Sequence, residues 1–190
     1  MRDEWFHRGD EKVPMTKEEI RAVSLSRLDL GPSDILWDIG SGTGSVSIEA
    51  AVRTPGLTVT AFERNPAAVS LMAFNLEKAE KEGLLSPGGI RQIEGDAPET
   101  FAGAEQIPTA AFIGGSGGSL GEILEALYSL NPAVRITANV ITLESLQMIL
   151  EVTKRKKLTP LISLVQVSRV KGMGESHLLI AGNPVYVVSF

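Results

Sequence analysis

The stretch from Ile35 to Ala51, ILWDIGSGTGSVSIEAA, constrains the fold more than any other part of the chain. An apolar run ends at Asp38, three glycines follow at alternate positions, and apolar residues then recur at helical spacing. This order predicts a buried strand, a tight turn and a helix. Glycines permit a sharp turn and the close approach of a ligand, and the first N–H groups of the new helix face the space above the turn.

The residues that follow this turn favour a ligand that contains a ribose. A second apolar run, Leu57–Phe62, ends at Glu63, whose carboxylate can accept from both ribose hydroxyls. The turn reads D-x-G-x-G-x-G rather than the dinucleotide fingerprint G-x-G-x-x-G, because Ser45 occupies the third glycine position of that fingerprint. A glycine-rich turn with an incidental acid after it is the alternative. The motif resembles that of Rossmann-like methyltransferases that use S-adenosylmethionine (SAM).

Composition narrows the class of protein. The chain has 190 residues, 43% of them hydrophobic, which predicts a single domain over residues 1–190 with an irregular N-terminal arm at residues 1–15. The net charge of −5 argues against a nucleic-acid partner. No apolar run approaches the length of a membrane span, and the first residues lack the apolar core of a signal peptide. With no cysteine in the chain, we expect a cytoplasmic protein that does not bind a membrane.

Hydrophobic periodicity divides the chain into alternating strands and helices. It predicts helices at 16–28, 45–51, 66–82, 120–130 and 142–156, and strands at 35–38, 57–62, 90–94, 109–113, 134–141, 158–167 and 177–189. Thr16 and Ser119 each precede a glutamate by three residues and predict capping boxes, and Asn65-Pro66 predicts a third helix start. The fold class is therefore α/β, with three layers, a mostly parallel sheet and a C-terminal antiparallel hairpin. The resemblance of the glycine motif implies that this is the Rossmann-like class I methyltransferase fold.

Two loops after predicted strands carry candidate binding groups. Asp96 follows the third strand, where it can accept from the exocyclic amine of adenine while the Ala97 N–H meets a ring nitrogen. The alternative is that Asp96 only caps a helix that begins at Pro98. The glycine loop Gly114–Gly118 follows the fourth strand, at the edge where open α/β sheets bind ligands, and its N–H groups can hold anions. A flexible connection is the alternative there.

The cations near the C-terminus are the remaining candidates. Arg169 and Lys171 are expected in the loop between the last two strands, either as anion contacts or as an ordinary polar hairpin tip. Arg135 and the N-terminal arm are further candidates for holding carboxylates. Neither a metal cluster nor a nucleophile–base set is visible by residue type and spacing, so the catalytic residues stay unknown.

Five segments together resemble one family. They are PMTKEEIR at 14–21, DIGSGTGSVSIE at 38–49, EGDAP at 94–98, FIGGSGG at 112–118 and NPV at 183–185. This set is similar to that of the precorrin-6Y/precorrin-6B methylase family of cobalamin biosynthesis, over nearly the whole chain. The resemblance implies SAM as methyl donor, a corrin-ring precursor as substrate, and methylation at C(15) with loss of carbon dioxide from the ring C acetate. It also implies a homotetramer and a C(5)-methyltransferase as partner, and it leaves open whether the substrate contains cobalt.

The family pattern carries over residue by residue. It implies cofactor contacts from Thr16, Gly40, Ser41, Gly42, Thr43, Gly44, Glu63, Asp96 and Ala97. It implies that the crevice loop faces the ring substrate, with Gly115, Ser116, Gly117 and Gly118 as contacts beside Arg169 and Lys171. Glu63 stands where many relatives have aspartate, so its carboxylate reaches one methylene further. Two other functions remain as alternatives: a SAM-dependent methyltransferase acting on tRNA or protein, and an NAD-dependent oxidoreductase.

Overall fold

The computed structural model describes residues 1–9 and 13–190. The helices are α1 Glu18–Leu28, α2 Ser45–Arg53, α3 Pro66–Lys81, α4 Leu120–Leu130 and α5 Leu143–Lys156. The strands are β1 Ile35–Ile39, β2 Thr58–Glu63, β3 Ile90–Glu94, β4 Ala110–Ile113, β5 Arg135–Val140, β6 Leu161–Val165, β7 Ser168–Met173, β8 Ser176–Ala181 and β9 Val185–Ser189. Short 3₁₀ turns lie at Asp3–Trp5 and Glu99–Gly103.

Seven strands form one sheet in the order β3-β2-β1-β4-β5-β9-β6. The first five are parallel, and β9 pairs antiparallel with both β5 and β6. From β1 the strand order extends to one side through β2 and β3 and to the other side through β4 and β5. The topological switch point between β1 and β4 therefore opens a crevice at the carboxyl ends of the strands. The expected α/β three-layer architecture with a mostly parallel sheet is confirmed.

Each face of the sheet is covered by its own hydrophobic core. Trp37, Phe62 and Phe101 pack in T-shaped and tilted arrangements on one face, with ring centroids 4.8–5.1 Å apart, and contact side chains of α4 and α5. Leu36 and Phe112 point to the other face, where they meet α1, α2 and α3. Because neighbouring residues of a strand face opposite sides, Leu36 and Trp37 fill different cores, which explains why β1 is apolar at both positions.

The C-terminal hairpin is more divided than the sequence predicted. The first expected strand, 158–167, contains only β6, and the second, 177–189, is divided into β8 and β9, while β7 lies in the predicted loop. Strands β6 and β9 join the main sheet, and β7 and β8 pair as a separate antiparallel ribbon. Proline has no N–H to donate, so Pro184 cannot continue the ladder, and Gly182 donates to the Val167 carbonyl at the branch point. The predicted antiparallel pairing is correct, but the prediction of two unbroken strands is wrong.

Two predicted helix caps are not formed. Helix α1 begins at Glu18 after Lys17, and the Thr16 carbonyl instead accepts from Arg21. Ser119 precedes α4 without making a side-chain cap bond. The Asn65 side chain does accept from Ala67 N at the start of α3, as its sequence context predicted.

The expected irregular arm packs against the body wherever it is described. Phe6 is buried in the core, and the backbone N–H of His7 donates to Asn75 on α3. Asp10, Glu11 and Lys12, which the arm prediction also covered, lie outside the described residues. Of the helices in residues 1–9 and 13–190, none combines the length and apolar character needed to cross a bilayer.

Candidate active site

A cavity of about 810 Å³ opens at the carboxyl ends of the parallel strands. Its floor is the glycine turn after β1, and its sides are the loops that follow β2, β3 and β4. One side is closed by residues 13–20, which comprise the segment before α1 and the first turn of that helix. Another side is closed by residues 180–185, which run from the end of β8 to the start of β9. The chemistry of the site therefore depends on segments that are far apart in sequence.

The glycines of the turn make room for other parts of the protein as well as for a ligand. Gly40 has a φ of +72°, and a Cβ there would lie 2.5 Å from the carbonyl oxygen of Gly115. A Cβ on Gly42 would lie 2.8 Å from the Pro14 carbonyl oxygen, and one on Gly44 would strike Met72 of α3. The turn is thus packed directly against the second glycine loop and the segment before α1, and any side chain at these positions would separate them.

Glu63 is already joined to the glycine turn. Its Oε2 accepts from Gly42 N at 2.8 Å, and its Oε1 accepts from Asn65 N at 2.9 Å. These two bonds fix the carboxylate at the wall of the cavity. Each carboxylate oxygen can accept a second hydrogen bond, so Glu63 retains the capacity to hold two hydroxyl groups.

Asp38 is the most strongly perturbed acid of the cavity. Its Oδ2 accepts from the backbone N–H and the hydroxyl of Ser47, at 3.1 and 2.5 Å, which ties the end of β1 to the first turn of α2. Burial raises the pKa of Asp38 from its usual 3.8 to about 6, against the bonds from Ser47, and the nearby Glu63 charge adds to the rise. A cation placed beside Asp38 would favour its ionised form.

Unpartnered polar atoms surround the turn. Among the described residues, Asp38 Oδ1, Ser41 Oγ and Thr43 Oγ1 are buried and make no hydrogen bond. Asp38 and Ser41 line the cavity. Because a buried polar atom without a partner is costly, these atoms indicate a bound polar group. The α-ammonium of SAM is such a group, and two acceptors above a side-chain-free turn fit it.

Asp96 and Arg64 face each other across the cavity mouth. Asp96 lies two residues beyond β3, and its Oδ1 accepts from Arg64 Nη1 at 3.3 Å. Both side chains are more than half exposed, so the pair is held loosely. The alternative role for Asp96 as a side-chain cap is not observed, since it is the Asp96 carbonyl that accepts from Thr100.

Arg169 lies within β7, and the prediction that places it in a loop is wrong. Its guanidinium donates to both carboxylate oxygens of Glu19, at 3.1 and 2.6 Å, and to Asp3 at 3.1 Å. These bonds raise the pKa of Arg169 and lower that of Glu19. Arg169 reaches the cavity wall, but two acids already neutralise it.

The other predicted cations lie elsewhere. Lys171 is also on β7, is exposed, and does not line the cavity. Arg135 is the first residue of β5, so it lies at the amino ends of the parallel strands, away from the cavity, where it pairs with Asp34 at 2.7 Å. The suggestion that Arg135 holds substrate carboxylates is therefore wrong.

The structure brings most of the predicted site residues to one cavity. Eleven of them line it: Thr16, Gly40, Ser41, Gly42, Glu63, Asp96, Ala97, Gly115, Ser116, Gly117 and Arg169. Four do not: Thr43, Gly44, Gly118 and Lys171. Gly44 is the N-cap residue of α2 and Thr43 is fully buried, so both shape the turn without lining the cavity.

Among the cavity residues that were not predicted as site residues, three polar ones bear on its chemistry. Asp38 is the penultimate residue of β1, just before the turn, and Arg64 follows Glu63 directly. Asn139 lies against Ser24 Oγ at 2.9 Å, and its Nδ2 is buried without a partner among the described residues. Asn139 is the one amide side chain in the segment 134–141, which is apolar apart from Arg135, Thr137 and Asn139. A polar residue near the end of a strand predicted to be buried could have identified it from the sequence.

The sheet order, the glycine turn and the acids after β2 and β3 define a Rossmann-like methyltransferase of class I. A family model described as a precorrin methyltransferase domain matches residues 4–190. The chain belongs to this family.

Individual relatives agree over the full length. The chain is 40% identical to the cobalt-precorrin-6B C(15)-methyltransferase (decarboxylating) of Salmonella typhimurium, covering 100% of this chain and 94% of the relative. It is 37% identical to a probable enzyme of the same name from Pyrobaculum calidifontis, covering 98% of this chain and 93% of the relative.

Solved structures show the same fold. The precorrin-6Y C5,15-methyltransferase of Geobacter metallireducens superposes with a TM-score of 0.86 at 33% identity, covering 100% of this chain and 96% of the other. The precorrin 8W decarboxylase of Methanobacterium thermoautotrophicum superposes with a TM-score of 0.87 at 30% identity, covering 100% and 98%. The predicted family resemblance is confirmed.

Proposed function

We propose that this protein is a SAM-dependent methyltransferase of cobalamin biosynthesis that methylates precorrin-6B or cobalt-precorrin-6B at C(15) and decarboxylates the ring C acetate. The full-length relatives that carry this activity in their names support the substrate and the reaction. The observation that carries the cofactor assignment is the pair of unpartnered acceptors, Asp38 Oδ1 and Ser41 Oγ, above the glycine turn. The alternatives of a tRNA, protein or nicotinamide substrate find no support in this family membership.

The residues present fit a nucleoside that lies across the end of β1. Asp38 and Ser41 accept from its α-ammonium, Glu63 accepts from the ribose hydroxyls, and Asp96 accepts from the adenine amine. The Ala97 N–H donates to the adenine ring. Thr16 lies in the segment that covers this part of the cavity. When bound, SAM supplies an electrophilic methyl group, so the protein needs no nucleophile of its own.

The other half of the cavity suits a flat, largely apolar ring. Ile20, Ile141 and Val185 line it, together with the backbone of Gly115 and Gly117. These side chains exclude water and hold the accepting carbon in line with the methyl group. An apolar wall also disfavours a carboxylate relative to neutral carbon dioxide, which favours decarboxylation of an acetate placed against it. The electron pair of the broken C–C bond enters the conjugated ring, and a proton from solvent then converts the remaining methylene of the acetate into a methyl group.

The test is a reaction of the purified protein with methyl-labelled SAM and the reduced ring precursor, with and without cobalt, followed by mass spectrometry. We expect the product to gain one labelled methyl group and lose one carbon dioxide. Methyl transfer without loss of carbon dioxide would contradict the decarboxylating assignment. Absence of label in both precursors, with transfer to tRNA or protein instead, would contradict the substrate.

We further propose that the chain forms a homotetramer through the ribbon and the sheet edge. Val170 and Leu179 on the ribbon and Leu161 and Leu164 on edge strand β6 are all more than half exposed. Apolar side chains next to an edge strand are a typical subunit contact. Light scattering should give four times the chain mass, and Leu179→Lys should reduce it, whereas a monomeric wild-type protein would contradict the proposal.

Two further expectations belong to the biosynthetic role. We place the protein in the cytoplasm, and we expect a C(5)-methyltransferase to act with it on the same ring. Co-purification of the two enzymes with the ring precursor present would test the partnership, and their separate elution in every condition would contradict it.

A further inference from the structure

Arg64 occupies a position between the two loops that flank the cofactor. It follows β2 directly, Asp96 follows β3, and Gly117 lies in the loop after β4. Its Nη1 is 3.3 Å from Asp96 Oδ1, and a Cβ added to Gly117 would lie 2.7 Å from the same nitrogen. Since the sheet order is β3-β2-β1-β4, the guanidinium reaches across the strand end that carries the glycine turn.

The other cations of the cavity are committed to acids that serve the fold. Arg169 is held by both oxygens of Glu19 and by Asp3. Lys17 lies 3.7 Å from that same Asp3. To bind these cations, a polycarboxylate substrate would have to break ion pairs that connect the ribbon with α1 and with the N-terminal segment. Among the described residues, Arg64 has one ion pair to give up, and that pair is exposed and therefore weak.

The partner of Arg64 is the acid that the proposed function assigns to adenine. An adenine amine at Asp96 and the Arg64 guanidinium draw on the same carboxylate. Binding of the nucleoside therefore weakens the hold of Asp96 on Arg64. The guanidinium then lies at the cavity mouth beside a loop that has no side chain to obstruct it, at Gly117. A planar guanidinium of this kind can bind a carboxylate through two parallel hydrogen bonds.

We propose that Arg64 binds a carboxylate of the ring substrate, and that cofactor and substrate binding are coupled because SAM competes with Arg64 for Asp96. This inference rests on the proposed function. SAM binds first and raises the affinity for the polycarboxylate ring. By linkage, the ring raises the affinity for SAM by the same factor.

The test uses calorimetric titration of the whole protein with two stable probes. S-adenosylhomocysteine replaces SAM, and uroporphyrin III, a polycarboxylate tetrapyrrole, replaces the ring substrate. In the wild-type protein, saturating S-adenosylhomocysteine should tighten uroporphyrin binding by about two- to fivefold, since the coupling cannot exceed the strength of the exposed ion pair that it releases. Arg64→Gln should weaken uroporphyrin binding about tenfold and abolish its dependence on the nucleoside. The same variant should bind S-adenosylhomocysteine as tightly as wild type or more tightly.

Two further variants distinguish coupling from a structural role. Asp96→Asn should weaken S-adenosylhomocysteine but tighten uroporphyrin in the absence of the nucleoside, because Arg64 is released. Arg155→Gln is the matched control, since Arg155 is equally exposed and paired with Glu125, outside the cavity, and it should change neither affinity.

Specific outcomes would overturn the inference. Equal weakening of both probes by Arg64→Gln would show that Arg64 only supports the loops. Unchanged uroporphyrin binding would remove it from the substrate site, and an unchanged nucleoside effect would remove the coupling. These results are separate from the proposed function, because a wild-type enzyme that produces the decarboxylated, methylated ring could still fail each of them.

Discussion

At the scale of single residues, Asp38 joins the fold to the site. One of its oxygens holds the first turn of α2 through Ser47, and the other lies unpartnered at the cavity. A carboxyl group kept away from water is more easily protonated, which is why the pKa of Asp38 rises to about 6. The folded protein therefore binds a proton at Asp38 between pH 4 and 6 that the unfolded chain does not hold, and its stability falls as the pH rises through that range.

This pKa makes cofactor binding pH-dependent. If ionised Asp38 accepts from the α-ammonium, the affinity for SAM should be full above pH 7 and fall by about tenfold per pH unit well below pH 6, as the carboxylate is protonated. Titration calorimetry between pH 5 and 8 measures this. Asp38→Asn keeps an acceptor for Ser47, so the variant should bind SAM weakly with a nearly flat pH profile. A variant that retained the wild-type profile would assign the titration to another group.

Arg21 shows how a buried charge can be purely structural. Its side chain is fully buried and donates to Glu49 at 2.5 Å, to Asp3 at 3.3 Å and to the carbonyl oxygens of Thr16 and Met1. Removal of this guanidinium would take the most deeply buried cation away from Glu49 and Asp3, leaving the N-terminal ammonium and Arg53 beside Glu49, and Lys17 and Arg169 beside Asp3. It thereby fixes the segment that leads to the cavity without touching the cavity itself.

The stability of Arg21 variants can be compared with that of a near-matched control. Arg21→Met should lower the free energy of unfolding by about 2–3 kcal/mol, because the four hydrogen bonds of the guanidinium are lost while the N-terminal ammonium still pairs with Glu49. Arg53→Met removes the other side chain that pairs with Glu49, but Arg53 is half exposed, so about 1 kcal/mol or less is expected. Urea denaturation measures both, and similar losses in the two variants would contradict this account.

At the scale of helices and strands, short sequence patterns correctly predicted where helices occur but not which side chains cap them. Thr16-x-x-Glu19 and Ser119-x-x-Glu122 both have capping-box spacing, yet neither side chain caps its helix. In the first case α1 begins two residues after Thr16, the Thr16 carbonyl accepts from Arg21 of that helix, and the Glu19 carboxylate accepts from Arg169 on β7. A sequence pattern describes what a residue can bond to, and tertiary competitors decide what it does bond to.

Helix caps therefore provide a direct comparison. Asn65→Ala should destabilise the protein by about 1 kcal/mol, because the Asn65 oxygen accepts from Ala67 N at the start of α3. Ser119→Ala, at a position with the same predicted role but without a cap bond, should stay within about 0.5 kcal/mol. Thermal unfolding of the two variants measures the difference. An equal loss at Ser119 would show that its cap forms in solution.

At the scale of the whole molecule, the parts of the site that are short contiguous motifs could be predicted from the sequence. The glycine turn, Glu63, Asp96 and the second glycine loop each follow a strand, and parallel strands bring their carboxyl ends to one edge. The partners of the cations could not be predicted, because Arg169 meets Glu19 across 150 positions of the chain. The same limit applied to Pro14, whose contact with Gly42 depends on the tertiary fold.

These contacts between distant segments predict where a bound cofactor will slow local opening. The segment Val13–Lys17 and the loop Gly114–Gly117 both border the glycine turn, so release of a nucleoside requires at least one of them to move away from it. Hydrogen exchange should therefore slow in both segments when S-adenosylhomocysteine is added, since local opening then has to break ligand contacts as well. Edge strand β6, which does not line the cavity, serves as the internal control and should be unaffected. NADH at the same concentration should protect neither segment, and protection spread evenly over β6 as well would indicate global stabilisation rather than closure of this cavity.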